Sequence, residues 1–179
     1  MMTIIHATDP TTQFLSQLYE TREDVTCRIT EASTNTQVLR AIQRDDTIMM
    51  LGHGNPYGLF SRPNKIGKYE RFLITDHHVE FLRGKTCIGI WCYADKFAKR
   101  YGLMGLFTGM IVSELQEAID NNITTTNEEI GLENMKFASR LKDCIANYNL
   151  KDVPIQMQAL DDVKSELTRF NYGNLYYLG

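Results

Sequence analysis

Two residues in this chain have the type and the setting for covalent chemistry, His53 and Cys92. Each directly follows a short, continuously apolar run, TIMMLG over residues 47–52 and TCIGIW over residues 86–91. Runs of that length and composition read as strands covered on both faces, as in a parallel sheet. In such sheets functional groups collect beyond the carboxyl ends of the strands, which is where both side chains fall. A free thiol ionises at about pH 8.5, so a neighbouring imidazole can take its proton or protonate a leaving group. One crossover apart in the chain, the two residues read as a nucleophile and its general acid and base.

The elements that must position this pair can be followed along the chain. Residues 3–7 predict a first strand, and Asp9-Pro10 then supply a cap and a first-turn proline for a helix bearing Phe14, Leu15, Leu18 and Tyr19. Alternation over 25–31 predicts a strand, and Val38, Leu39 and Ile42 mark a helix over 33–43. Residues 53–68, rich in Gly, Pro, Asn and Ser, read as a surface loop. A small strand over 72–74 precedes a helix running from Thr75-Asp76 to Gly84, and a helix over 93–101 stops at Gly102. Residues 106–113 (LFTGMIVS) read as a third buried strand. The span 114–149 is helical in two pieces, the second carrying Ile130, Met135, Phe137, Ala138, Leu141, Cys144 and Ile145 as its apolar stripe. A helix over 154–168 follows, and residues 175–178 with Tyr172 predict a last aromatic strand. The aromatics Phe170, Tyr172, Tyr176 and Tyr177 read as an edge strand or as an association surface. Strands alternating with helices predict an α/β fold with a mostly parallel sheet and right-handed crossovers.

Composition narrows the partners. With 43% hydrophobic and 23% charged residues over 179 positions, and no repeat or linker, residues 1–179 read as a single globular domain. A chain of this length buries roughly 70% of its unfolded surface, so it needs no disulfide or metal to fold. The 19 Lys and Arg against 22 Asp and Glu argue against nucleic acid as a partner. No apolar window is long enough to span a membrane, and the first residues lack a signal-peptide pattern, so a cytoplasmic protein is expected. Neither a Cys-x-x-Cys pair nor zinc spacing is present, which argues against a metal site and leaves Cys27, Cys87 and Cys144 as core residues. Asp76-His77-His78 matches the letters of the manganese-binding DHH phosphoesterases. That chemistry needs further aspartates after other strands, whereas Asp45-Asp46 precedes its strand, so His77 and His78 read as solvated residues of a helix's first turn.

Taken in order, the block TIMMLGHG (47–54), the block TCIGIWCYA (86–94), the helix after it and LFTGMIVSE (106–114) resemble the caspase-like, clan CD cysteine peptidases. That group includes caspases, metacaspases, gingipains, clostripain, legumain, separase and CHAT domains. Chain order separates it from papain-like and glutamine-amidotransferase-like enzymes, which place the cysteine before the histidine. The resemblance covers about residues 2–120, leaving 121–179 as a helical extension plus a C-terminal strand. It implies a caspase-like three-layer αβα sandwich with a mostly parallel sheet. It also implies Cys92 as nucleophile, His53 as general acid and base, and an oxyanion hole formed by the backbone N–H groups of Gly54 and Cys92. No metal or organic cofactor is implied. Specificity in this group is set by charged residues at the positions that Asp9, Asp95 and Glu114 occupy, and a carboxylate flooring the pocket would select Arg or Lys before the cut bond. Plainer roles compete for the same residues: a helix cap for Asp9, and helix-start acids for Asp95 and Glu114.

Trp91 departs from the group's pattern, which usually has a small residue before the cysteine. It motivates a second reading, an inactive relative that binds a peptide or protein partner without cutting it. A third is a hydrolase for another acyl or thioester substrate. A peptide or protein is the expected partner in the first two, with a homo-oligomer or an activating partner also open.

Overall fold

Burial on both faces organises the molecule around strands β1 (Met2–His6), β3 (Thr47–Leu51) and β7 (Thr86–Ile90). The computed structural model describes residues 1–61 and 71–179. With β2 (Val25–Ile29), β8 (Met104–Thr108) and β9 (Leu175–Leu178), these strands form a six-stranded sheet ordered β2-β1-β3-β7-β8-β9. The first five are parallel, and β9 closes one edge antiparallel to β8. The protein is thus an α/β fold with a mostly parallel central sheet.

Side chains alternate across the sheet and divide the core in two. Ile5, Ile48, Met50, Cys87 and Phe107 face α1 (Asn35–Arg44), α2 (Val79–Leu82) and α3 (Ala94–Tyr101). Ile4, Met49, Leu51, Ile88, Ile90 and Leu106 face the other way. There they meet a 3-10 helix (Gln13–Leu18), α5 (Asn127–Asn147), α6 (Val153–Ala159) and Tyr172 of α7 (Glu166–Gly173). Fully burying each such aliphatic side chain contributes about 1.5–3 kcal/mol, so the two faces together explain why β3 and β7 are written as unbroken apolar runs. Local signals set the helix ends: Thr34 and Gln37 form a capping box on α1, Thr126 and Glu129 one on α5, and Gly102 stops α3 in the left-handed conformation.

Several boundaries differ from the sequence expectation, some for local and some for tertiary reasons. Asp9-Pro10 open a turn and a 3-10 helix, because the Asp9 side chain caps the Thr11 and Thr12 N–H groups and turns the chain tightly. The loop expected over 53–68 contains a hairpin, β4 (Gly54–Asn55) with β5 (Gly58–Phe60), which joins β6 (Phe72–Ile74) in a second, three-stranded sheet. The rest of that expected loop, from residue 62, lies outside the described residues. The third buried strand is β8, earlier than 106–113. It stops at Thr108 because its outer edge pairs with β9 and Gly109 N–H then bonds the Asn174 carbonyl. Residues 154–168 are not one helix: α6 ends at Ala159, and the buried Asp161 accepts the Val163 and Lys164 N–H groups to break it before α7 starts at its Ser165 cap. Phe170 and Tyr172 belong to α7, not to the last strand. His78 is buried, its Nδ1 accepting the Thr75 N–H at 3.2 Å, while His77 is exposed. Cys87 and Cys144 are core residues and Cys27 is half-buried. The two helical pieces over 114–149 are α4 (Leu115–Asp120) and α5, as expected. Among the described residues, no helix is long and apolar enough to cross a membrane.

Two glycines give opposite stability predictions. Gly105 in β8 has φ 135°, and a Cβ there would lie 1.8 Å from the Cys87 carbonyl oxygen. Gly105→Ala is expected to cost about 3 kcal/mol or more through backbone strain and a clash with backbone. Gly131 lies inside α5 with nothing within 4 Å of a built Cβ, so Gly131→Ala is expected to stabilise by about 0.5–1 kcal/mol. Urea-unfolding midpoints of the two variants check both signs.

Candidate active site at the carboxyl edge of the sheet

Strand register brings the two reactive residues level. β3 and β7 pair from Thr47 with Thr86 to Leu51 with Ile90, and His53 and Cys92 each stand two residues beyond that last pair. Gly52 continues the pairing for one step, its N–H bonding the Ile90 carbonyl at 3.1 Å, and its φ of 136° turns the chain over the sheet edge. Thr108 at the end of β8 pins the other side: its Oγ1 accepts the Trp91 N–H at 3.0 Å and donates to the Trp91 carbonyl at 2.8 Å. Tyr93, left-handed at φ 67°, then swings the chain into α3, with its N–H on the Gly109 carbonyl. His53 and Cys92 line one small pocket, together with Thr12, Phe14, Ile111 and Ser113.

His53 is held by a relay. Its Nε2 lies 2.6 Å from Thr11 Oγ1, whose hydroxyl donates to Asp9 Oδ1 at 2.7 Å. That hydroxyl proton is spent on Asp9, so Nε2–H is the donor to Thr11. Asp9 Oδ2 at 3.5 Å and Glu114 Oε1 at 3.7 Å also approach Nε2. Burial alone would lower the His53 pKa, but the hydrogen bond and charge of Asp9, followed by Glu117 and Glu114, outweigh it and raise the pKa above its ordinary value. Asp9 shows the reciprocal effect. Burial pushes its carboxyl up, and the bonds to His53 and Thr11 overcome that and hold it well below the usual range.

The thiol is in a different state from the one expected of an activated nucleophile. Sγ of Cys92 donates to the Ile111 carbonyl at 3.5 Å and to Glu117 Oε1 at 3.9 Å. Burial first, then the charge of Glu117, push its pKa up to about 12. The N-terminus of α3, which starts two residues on, would favour a thiolate, but burial and the carboxylates prevail. Cys92 at rest is therefore a neutral thiol in the pocket it shares with His53.

Gly54 is explained twice over. A Cβ there would lie 2.1 Å from Trp91 Cδ1, so the glycine is required by the tryptophan ring as well as by any approaching carbonyl. The Phe60 N–H bonds the His53 carbonyl and Asn55 pairs with Gly58, which makes Gly54–Leu59 a non-hydrogen-bonded pair and aims the Gly54 N–H away from β5. Trp91, 2% exposed, lies under this hairpin, donating Nε1–H to the Asn55 carbonyl at 3.2 Å and packing edge-on against Phe97. The crowding expected from Trp91 thus falls on Gly54 and Gly89, on the α3 side of the core.

Of the three candidate specificity residues, Asp9 and Glu114 converge on His53, while Asp95 in the first turn of α3 is paired with Lys99 at 2.8 Å. Thr11, Ser113 and Glu117 are additions that sequence reasoning missed. The spacing of Ser113, Glu114 and Glu117 carries a capping-box signal for the start of α4, but nothing in it points at a thiol. Next to the pocket opens a groove of about 830 Å³ between the 3-10 helix and the start of α5, walled by Phe14, Gln17, Ser113, Glu114 and Asn134. Its charged lining residues, Glu20 and Glu114, are both acidic. Among the described residues no group of His, Cys, Asp and Glu is arranged to hold a metal ion, Asp76-His77-His78 included. No family model, no curated protein and no solved structure matches the chain.

Two histidines should titrate in opposite directions. His53 is expected to titrate above 6.5 by imidazole NMR, and Asp9→Asn to bring it down by removing the main force that offsets burial. His6, buried against Tyr19 with Nδ1 3.0 Å from its hydroxyl, is held at about 4 by burial, partly offset by the Asp9 charge. Its folded pKa lies below the unfolded value of 6.5, so the unfolded chain binds its proton more tightly. The stability contributed by neutral His6 is full above pH 6.5 and is lost as pH falls through about 4. Chemical unfolding across that window should show the decline, and a His6→Gln variant should show less of it.

Proposed function

We propose that the protein is a cysteine endopeptidase built as a caspase-like three-layer αβα sandwich, with Cys92 as nucleophile and His53 as general acid and base. The observation that carries this reading is the register: His53 and Cys92 stand level at the carboxyl ends of adjacent parallel strands and share one pocket. Helices packed on both faces of the sheet support the sandwich. In the reaction, Sγ attacks the scissile carbonyl carbon and the thiol proton passes to His53. The carbonyl oxygen takes the negative charge and is met by the N–H groups of Gly54 and Cys92. Protonation of the leaving amine by His53 breaks the C–N bond, and water then hydrolyses the thioester. A raised His53 pKa suits the acid role. The groove beside the pocket is the place for the substrate chain, and its acidic lining suits a basic side chain.

One observation favours the second reading, an inactive relative that binds peptide or protein in the same groove. The thiol is bonded to Ile111 and Glu117 and is held at about 12, so it is not poised to attack.

Mass-spectrometric profiling of a proteome-derived peptide library under reducing conditions separates the two. The peptidase reading expects cuts after Arg or Lys with the wild type, none with Cys92→Ala, and a rate lowered by about 10²–10⁴-fold with His53→Ala. Cleavage that survives Cys92→Ala would sink it. No cleavage, together with peptides retained by both wild type and Cys92→Ala, is the outcome expected of the binding module.

A further inference from the structure

Glu117 makes a contact that its structural role does not require. Its Oε2 is anchored by three donors, the Ser113 N–H at 2.7 Å, the Ser113 hydroxyl at 3.0 Å and the Glu114 N–H at 3.1 Å, which together cap α4. With that oxygen fixed, the carboxylate has little rotational freedom, and Oε1 is presented to the Cys92 thiol at 3.9 Å. The Ile111 carbonyl takes the same thiol from the neighbouring loop at 3.5 Å. Among the described residues, two acceptors therefore take the thiol, an arrangement that stabilises S–H and disfavours S⁻.

We propose that Glu117 is a positioning residue that keeps the Cys92 thiol protonated and turned toward the Ile111 carbonyl, so that the nucleophile is released only when this carboxylate is neutralised or withdrawn. The proposal rests on Cys92 being the nucleophile, and it adds a built-in restraint on that residue. The charged groups around the thiol are consistent with it. From α4 and its cap come Glu117 and Glu114, and from the turn after β3 comes His53, itself held by Asp9. In the first turn of α3, Asp95 is paired with Lys99. The other lining side chains carry no charge: Phe14, Leu15, Ile90, Trp91 and Phe137 are apolar, and Thr12 and Ser113 are neutral hydroxyls. Glu117 is bonded to Sγ, and its negative charge ranks next after burial in holding the thiol proton.

The test reads the thiol and needs no substrate. Alkylation of Cys92 by iodoacetamide, followed peptide by peptide from pH 6 to 10, is compared for wild type, Glu117→Gln and Asp9→Asn. A glutamine keeps an oxygen to cap α4 but removes the charge, so a purely structural Glu117 predicts an unchanged profile. The proposal expects Glu117→Gln to react about tenfold faster or more at pH 8, with its midpoint moved to lower pH, since rate follows thiolate fraction. Asp9→Asn, which acts on His53, should not reproduce this. An unmoved profile in Glu117→Gln, or the same gain in Asp9→Asn, overturns the proposal. The wild type gives a second measurement that does not depend on a variant of Glu117 folding. The infrared difference spectrum against Cys92→Ala should show an S–H band, displaced to low frequency by hydrogen bonding, that persists to pH 9. A missing band, or one lost below that pH, also overturns it. Faster alkylation without peptide cleavage would leave the restraint standing and remove only the peptidase reading.

Discussion

The parallel pairing of β3 with β7 is the constraint from which the rest of the molecule follows. Both strands are buried on both faces, so a slip of one residue would send Met49 and Leu51 into the helix layer now occupied by Ile48 and Met50. The register is therefore fixed by two cores at once. The same register sets His53 and Cys92 level at the sheet edge. Packing far from the site thus decides its geometry. Thr108 and Gly52 merely pass that decision on, one by bracing Trp91 and the other by turning the chain over the edge.

Electrostatics at that edge work in one direction. Asp9, Glu117 and Glu114 raise the proton affinity of His53 against burial, while burial first and then Glu117 and Glu114 raise that of Cys92. A preformed thiolate–imidazolium pair would need a donor facing sulfur, and the wall opposite Sγ offers the acceptors Ile111 and Glu117 instead. The imidazole and the thiol thus answer to carboxylates contributed from two different segments of chain.

Much of the scaffold was legible in the sequence because its strands are long apolar runs and its helices carry caps and stripes. TIMMLG and TCIGIW had no other sensible reading, and Gly102 and Thr126 marked helix ends through their own chemistry. Much of what escaped was set by contacts distant in sequence. Thr108 ends β8 because β9, arriving more than sixty residues later, pairs with it, and no local signal carries that. The hairpin under Gly54 and Gly58 looked like loop because its glycines are demanded by neighbours, the Trp91 ring and the Ile74 carbonyl. At the site, the positions of His53 and Cys92 could be read from strand ends, but their partners could not. Thr11 and Glu117 are ordinary turn and cap residues by sequence, and only the fold aims them at an imidazole and a thiol.

Trp91 has a use that follows from its placement. It is the sole tryptophan of the chain, and its indole N–H is tied to the β4–β5 hairpin at Asn55 while its backbone adjoins Cys92. The protein therefore carries its own optical reporter at the one place where the hairpin meets the thiol. A dry, hydrogen-bonded indole emits at short wavelength, and lifting the hairpin would wet the ring and break that bond. Emission from this single fluorophore would then record opening of the sheet edge in real time, in unlabelled protein, against no background from any other indole.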